Sequence, residues 1–204
     1  MAVSQLQARS ILSLSKADMA MQLFREQFTD ASILSDFTCG LQAMDDFIHH
    51  NLQSYLDAYS CSAYCLYSEE GEIVAFFVIR HDTLAMFDDD TYHDHKMIYD
   101  RVLPPTVPVN EYPSVEIEYL AVAKDYQRQG IGSLCIEQII DLADEVSQLL
   151  RVELITVDAF KSEKYSAIPF YEKCNFSALE YPDPNKDTLR MYRPIWIMTS
   201  EEEE

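Results

Sequence analysis

The chain has 204 residues, 48% of them hydrophobic, enough for one ordinary globular core. Thirty-five acidic residues against fifteen basic ones give a formal charge of −20, a field that repels a phosphate backbone and draws in cations. No stretch approaches the roughly 20 consecutive apolar residues of a membrane span, residues 1–16 lack the pattern of a secretory signal, and five cysteines without a CxxC pair fit a reducing, cytoplasmic address rather than a disulfide framework.

No internal repeat, low-complexity linker or composition break divides the sequence, so one domain is expected over residues 1–198, with residues 199–204 as a solvated acidic tail. Ile11–Leu14 reads as a short strand. Ala17–Gln27 predicts a helix, since Ala20, Leu23, Phe24 and Phe28 recur at helical spacing. Asp36–Tyr59 predicts a longer helix with Met44, Phe47, Ile48, Leu52, Tyr55 and Leu56 on one stripe. Strands Ser62–Tyr67 and Glu72–Ile79 follow, joined by a hairpin turn at Ser68-Glu69-Glu70-Gly71. Residues 82–113 are acidic and proline-bearing and predict a long loop insertion, with a short helix near Lys96–Val102.

The second half is more regular. Ser114–Val122 predicts a strand, Ile131–Leu149 a helix, Val152–Val157 a strand and Ser166–Cys174 a short helix. Two last strands fall near Phe176–Leu179 and Leu189–Tyr192. Strand–helix–strand with a glycine turn at the first junction makes the strands at 114–122 and 152–157 parallel neighbours. The expected fold is α/β, a mixed central sheet of about six to seven strands flanked by helices.

Gln127-Arg128-Gln129-Gly130-Ile131-Gly132 lies between that strand and helix. The chain has only four glycines, and two of them fall within three residues here. A glycine-poor chain places two in one turn where backbone must approach something closely. Amides at the start of the following helix, with its dipole behind them, would form a nest for a pyrophosphate; a plain tight turn before a helix would use the same residues. Leaving out the Glu201–Glu204 tail, residues 103–200 hold fifteen acids and nine bases, against sixteen and six in residues 1–102. The second half is therefore the less hostile one for an anion.

The run Val122–Ser133 resembles the acetyl-CoA signature of the GNAT superfamily of N-acetyltransferases: an apolar strand end, Gln or Arg, two residues, Gly, one residue, Gly or Ala. Ile168-Pro169-Phe170-Tyr171-Glu172-Lys173-Cys174-Asn175-Phe176 resembles that superfamily's second signature, with Asn175 in place of the usual glycine. Asparagine also accepts left-handed backbone angles. The resemblance covers residues 114–180 well and the first half loosely. It implies a single GNAT domain in which the strand at 115–122 splays from that at 152–157 and the pantetheine arm of acetyl-CoA lies in the gap. Backbone groups of Leu120 and Val122, with Ala121 between them, would bond that arm, one amide polarising the thioester carbonyl. Amides of Gln127, Arg128, Gln129, Gly130, Ile131, Gly132 and Ser133 would hold the pyrophosphate, with Arg128 nearby as a cation.

The same resemblance implies direct transfer of the acetyl group to a primary amine. Glu116 and Glu118 alternate onto one strand face, and Glu116 falls where many GNAT enzymes carry the glutamate that accepts the amine's proton. Two adjacent buried carboxylates would raise each other's pKa, which suits a base near neutral pH; two solvent-facing polar residues would give the same pattern. Tyr171 matches the tyrosine that protonates the departing thiolate, or else is an aromatic packed on the sheet.

Other clusters carry less. Asp88-Asp89-Asp90 with His93-Asp94-His95 offers metal donors without a fixed geometry and reads as a solvated loop, so no metal is expected. His49 and His50, adjacent on a helix, do not share a face. Cys135 and Cys174 read as buried small hydrophobes. Asp36-Phe37-Thr38-Cys39-Gly40, then Met44-Asp45-Asp46-Phe47-Ile48, is similar to the opening of the GNAT toxins of toxin–antitoxin modules, which acetylate aminoacyl-tRNA; Leu103-Pro104-Pro105 and Leu120-Ala121-Val122 echo them too. The charge argues for another acceptor, a cationic or small amine on a small molecule or protein, because a tRNA-binding surface should be basic and Tyr119 stands where those toxins carry a base. Acetylation of aminoacyl-tRNA is the first alternative and a catalytically inactive binding module the second. No membrane partner is expected, no nucleic acid outside the toxin reading, and a homodimer is left open.

Overall fold

A computed structural model describes residues 10–13, 22–85, 111–162, 165–179 and 186–195. Its strands are β1 (Ser10–Ser13), β2 (Gln22–Phe28), β3 (Cys61–Tyr67), β4 (Ile73–Ala85), β5 (Glu111–Val122), β6 (Leu154–Phe160), β7 (Ser177–Ala178) and β8 (Thr188–Pro194). The helices are α1 (Gln42–His50), α2 (Leu52–Ala58), α3 (Ile131–Leu150) and α4 (Ile168–Lys173). The eight strands form one mixed sheet in the order β1-β2-β3-β4-β5-β6-β8-β7. β5 and β6 run parallel, as the strand–helix–strand pattern requires, in a register from Ser114↔Leu154 to Ile117↔Val157. The pairs β1–β2, β2–β3, β6–β8 and β7–β8 are antiparallel. Among the described residues no helix is long and apolar enough to cross a membrane.

Two compact units make up the chain: Met1–Ile79 with Tyr119–Cys135, and Arg80–Glu118 with Ile136–Glu204. In the first, the stripe read from the sequence is a real core. Ile48 and Leu52 are buried with Leu34, Phe37, Ala63, Cys65, Phe76 and Val78, and Met44, Phe47, Tyr55 and Leu56 pack against them. Phe37 meets Phe76 edge-on at 5.4 Å between ring centroids. In the second unit Leu84, Tyr112, Leu154 and Tyr192 form a further buried cluster, with Leu179 against it. The long helix α3 buries Ile131, Leu134, Cys135, Ile136, Ile139 and Ala143, one face of a 3.6-residue repeat.

Three expectations change. Of the helix expected over Ala17–Gln27, the described part is strand β2, second in the order of the eight-stranded sheet. Its sequence QLFREQF carries both periods, and tertiary pairing decides between them: β2 holds a ladder with β1 on one side and β3 on the other. The single helix expected over Asp36–Tyr59 is two. Residues 36–41 form a turn around Gly40, whose φ is +77°, and Asn51 at φ −121° separates α1 from α2. The expected loop over 82–113 is strand at both ends, because β4 runs on to Ala85 and β5 starts at Glu111, and residues 86–110 lie outside the described residues. The short helix near Lys96–Val102, the Asp88–Asp90 and His93–His95 cluster, Leu103-Pro104-Pro105 and the acidic tail lie outside the described residues.

Candidate active site

The glycine loop begins where β5 ends. Leu120 and Val122 are half-buried there and Ala121 is buried in the core. Ala123 N donates to Val74 O at 2.9 Å, and Lys124–Tyr126 forms a 3-10 turn. Two of the next four residues are left-handed, Arg128 at φ +61° and Gly130 at φ +85°. Glycine adopts that angle freely, whereas Arg128 does so at a cost of roughly 1 kcal/mol. α3 starts at Ile131, with Leu134 N donating to Gly130 O, and carries no acidic residue in its first turn. Its amide end therefore keeps its positive dipole without a neutralising carboxylate. Arg128, Gln129 and Ser133 are exposed.

The glutamines of this loop turn their side chains onto backbone. Gln127 Nε2 donates to Cys39 O at 2.7 Å and to Val122 O at 3.1 Å, and Gln129 Nε2 donates to Asp125 O at 3.0 Å. The Thr38–Gly40 turn that receives Gln127 is itself held by Asp45. That carboxylate accepts from Thr38 Oγ1 at 2.6 Å, Cys39 N at 2.8 Å and Gly40 N at 3.2 Å. Burial alone would raise the Asp45 pKa, but these three donors hold it below the usual aspartate value. Cys39 is the reverse case: burial pushes its thiol up to about 11. The sequence places Asp45 in the Met44–Ile48 run without assigning it a partner.

A second set of polar and charged groups lies on the other unit. Alternation along the strands puts Arg80 and Asp82 of β4, Ser114, Glu116 and Glu118 of β5, Thr156 and Asp158 of β6, and Arg190 of β8 on one sheet face. Arg80 joins the two glutamates, with Nη2 2.7 Å from Glu116 Oε2 and Nε 2.7 Å from Glu118 Oε2. Arg190 Nη1 donates to Glu116 Oε1 at 2.6 Å, and Arg190 Nη2 pairs with Asp82. Asp158, opposite Arg190 in the β6–β8 register, is 3.6 Å from it. Thr156 Oγ1 and Ser114 Oγ, both fully buried, donate to Asp82 at 2.7 and 3.2 Å.

This arrangement corrects the picture of two carboxylates left to repel each other. Glu116 and Glu118 do share a face, but a guanidinium stands on both of them, and Glu116, 5% exposed, has each oxygen bonded to an arginine. Among the described residues, four carboxylates (Asp82, Glu116, Glu118, Asp158) face two guanidiniums, a formal excess of two negative charges. Asp82 is desolvated, which would raise its pKa, yet Thr156, Arg190 and its other donors hold it below the usual value. Arg190 is held above the ordinary arginine value by Glu116, Asp82 and Asp158, against the opposing effect of burial. The sequence reading missed Arg80, Asp82 and Arg190; charged residues at every second position after six buried ones in β4 were the available signal.

Tyr171 sits on α4, buried, with edge-on ring contacts to Phe170 at 5.0 Å and Phe176 at 5.3 Å. Asn175 ends that helix at φ +63°, the left-handed angle its glycine-like place demands. Arg193 Nη1 donates to Cys174 O at 3.2 Å. Cys135 is buried, and burial pushes its thiol up to about 12, far from a nucleophile's range. His49 and His50 bond separate carbonyls, of Phe37 and Asp46. Among the described residues no group of three or more His, Cys, Asp or Glu could hold a metal ion.

The model of the acetyltransferase (GNAT) family matches residues 18–176. No curated protein matches the sequence. Similar solved structures include a tyrosine-to-phenylalanine mutant of KacT, 22% identical over 85% of this chain and 95% of that one, with a TM-score of 0.63. AtaT complexed with acetyl-methionyl-tRNAfMet is 21% identical over 84% and 94%, TM-score 0.62. A tyrosine-to-phenylalanine mutant of the AtaT toxin, bound to the C-terminus of the antitoxin AtaR and acetyl-CoA, is 20% identical over 85% and 93%, TM-score 0.60. At such identities the likeness is one of fold. The family match spans far more than half of the sequence, so this chain belongs to the acetyltransferase (GNAT) family, a membership that supports acyl-transfer activity.

Proposed function

We propose that the protein transfers the acetyl group of acetyl-CoA directly to a primary amine, and that this amine is cationic or small. The amides of Gln127–Ser133, with Arg128, hold the pyrophosphate, and backbone groups of Leu120 and Val122 hold the pantetheine arm. The left-handed Arg128 and Gly130, and a helix start free of acidic residues, support that role for the loop. A similar fold, AtaT, is known with acetyl-CoA bound.

The amine attacks the thioester carbonyl carbon through its lone pair. A C–N bond forms, the C–S bond breaks, the ammonium proton passes to a carboxylate, and the CoA thiolate takes a proton from Tyr171. Glu118 receives the amine's proton, directly or through water, being less buried than Glu116. Glu116, engaged on both oxygens, holds Arg80 and Arg190 in place.

The observation that carries the choice of acceptor is the carboxylate excess on the face of Glu116, Glu118, Asp82 and Asp158. With the net charge of −20, it favours a cation and costs a polyanion. A second reading, acetylation of aminoacyl-tRNA, is supported by the Asp36–Ile48 resemblance and by the toxin folds above. The protein is incubated with labelled acetyl-CoA and, separately, polyamines, lysine-bearing peptides and aminoacyl-tRNA, at low salt and at about 0.15 M. Labelling of the cationic amines, slower at the higher salt, is expected. Efficient labelling of aminoacyl-tRNA with the others inert would overturn the choice.

A further inference from the structure

The motif shared with the GNAT toxins is built against the glycine loop. Thr38, Cys39 and Gly40 form a turn with two sides. On one side it presents three donors, Thr38 Oγ1–H, Cys39 N–H and Gly40 N–H, all accepted by the Asp45 carboxylate. On the other it presents acceptors to the segment that follows β5. Thr38 O accepts from Lys124 N at 2.9 Å, and Cys39 O accepts from Gln127 Nε2 at 2.7 Å. At Gly40 a Cβ would stand 3.4 Å from Lys124 Cδ, so the turn also seats the lysine stem. Gln127 spends its second amide hydrogen on Val122 O, the last residue of β5.

We propose that Asp45 is a positioning residue for the acetyl-CoA loop. Through the Thr38–Gly40 turn and Gln127 it fixes the backbone from Val122 to Gln127, and so sets the affinity for acetyl-CoA. The inference rests on the acetyl-CoA reading of the loop. Only a group that accepts everywhere matches three converging donors; an asparagine would turn its own N–H groups on one of them. Without the brace the loop amides must be ordered when the ligand arrives, and that ordering is charged against binding. The residues proposed for proton transfer, Glu118 and Tyr171, lie in other segments, so the chemical step is spared.

The test uses Asp45→Asn and Gln127→Met, with acetyl-CoA binding by calorimetry, steady-state kinetics, and hydrogen exchange at the Lys124 and Tyr126 amides without ligand. For Asp45→Asn the Kd and KM for acetyl-CoA should rise about tenfold, kcat staying within about twofold. Gln127→Met should raise Kd similarly, and the double variant should bind no more weakly than the worse single one, because both act through Cys39. Exchange at the two amides should quicken in both variants. If Asp45→Asn does not fold, Gln127→Met carries the same expectations for Kd and for exchange. Wild-type affinity and exchange in the variants would overturn the brace while leaving the acetyl-CoA reading intact. A wild-type protein that gives no acetyl-CoA binding would overturn both, and faster exchange in the variants would then be a property of the turn alone.

Discussion

Replacing Asp82 with alanine withdraws an acceptor on which three side-chain donors converge. Thr156 Oγ1 and Ser114 Oγ are fully buried and both donate to Asp82 Oδ2, as does Arg190 Nη2. A buried hydroxyl that loses its partner costs about 1–3 kcal/mol. Removing one member of a fully buried ion pair costs about 3–5 kcal/mol, and here less, because the Arg190–Asp82 pair is partly exposed and Arg190 retains Glu116 and Asp158. These costs overlap, since one carboxylate serves all three donors, and a total of about 3 kcal/mol is expected. With a urea m-value of about 2 kcal/mol per molar, the midpoint should fall by about 1.5 M in equilibrium unfolding followed by circular dichroism. Asp82→Asn keeps an acceptor oxygen for the hydroxyls and loses only the charge, so about half of the effect is expected. The carboxyl is held below its ordinary value in the folded chain, so its stabilising contribution is complete above about pH 5 and is lost as acid takes the pH down through the folded value. The gap between wild type and Asp82→Asn should therefore begin to narrow as the pH falls below about 4 and close once it has passed the lowered folded value. A midpoint shift under about 0.5 M for the alanine variant, with m unchanged, would refute the reasoning.

Gly130→Trp puts a side chain on a backbone at φ +85°, where the loop is proposed to meet the pyrophosphate; the calorimetric signal for acetyl-CoA should vanish with the far-ultraviolet spectrum retained, and an unchanged Kd would remove the loop from the site. Tyr171→Phe keeps the ring contacts to Phe170 and Phe176 and removes the hydroxyl; kcat should fall roughly a hundredfold with little change in acetyl-CoA affinity. Full activity from neutral to mildly alkaline pH would make Tyr171 a packing residue.

The elements that follow residue 110 were legible because each is governed by a local rule. A βαβ unit fixes its own handedness and parallel pairing, α3 carries its apolar stripe in full, and Asn175 sits at the left-handed angle that its place at a helix end calls for. The early part was less so. Leu23, Phe24 and Phe28 satisfy a helix as well as a strand, and only the partners on either side of β2 decide. The break between α1 and α2 at Asn51 and the turn before α1 answer to hydrogen bonds over several residues, which an apolar stripe does not record. Polar contacts were the hardest. That Glu116 and Glu118 share a face follows from alternation, but that Arg80 pairs with both and Arg190 with Glu116 depends on strands 36 and 74 residues away.

The brace at Asp45 also bears on which acceptor the protein serves. The Asp36–Ile48 segment is the strongest sequence link to the toxins, and a shared motif would ordinarily argue for a shared substrate. Here its polar groups are spent on the loop: Asp45 on the Thr38–Gly40 turn, the carbonyls of Thr38 and Cys39 on Lys124 and Gln127. Its apolar groups, Phe37, Met44, Phe47 and Ile48, are spent on the core. A motif used in that way would be common to acetyl-CoA enzymes of any acceptor preference, so its presence adds little weight to tRNA. What remains to discriminate is the polar face around Arg80 and Arg190, where carboxylates outnumber guanidiniums. A tRNA would have to bring its phosphates against that excess under a field of −20, whereas an ammonium group would meet carboxylates already oriented by the guanidiniums. Under the proposed function, acceptor choice would rest on the charge balance of one sheet face, with the toxin-like segment serving the donor side of the reaction.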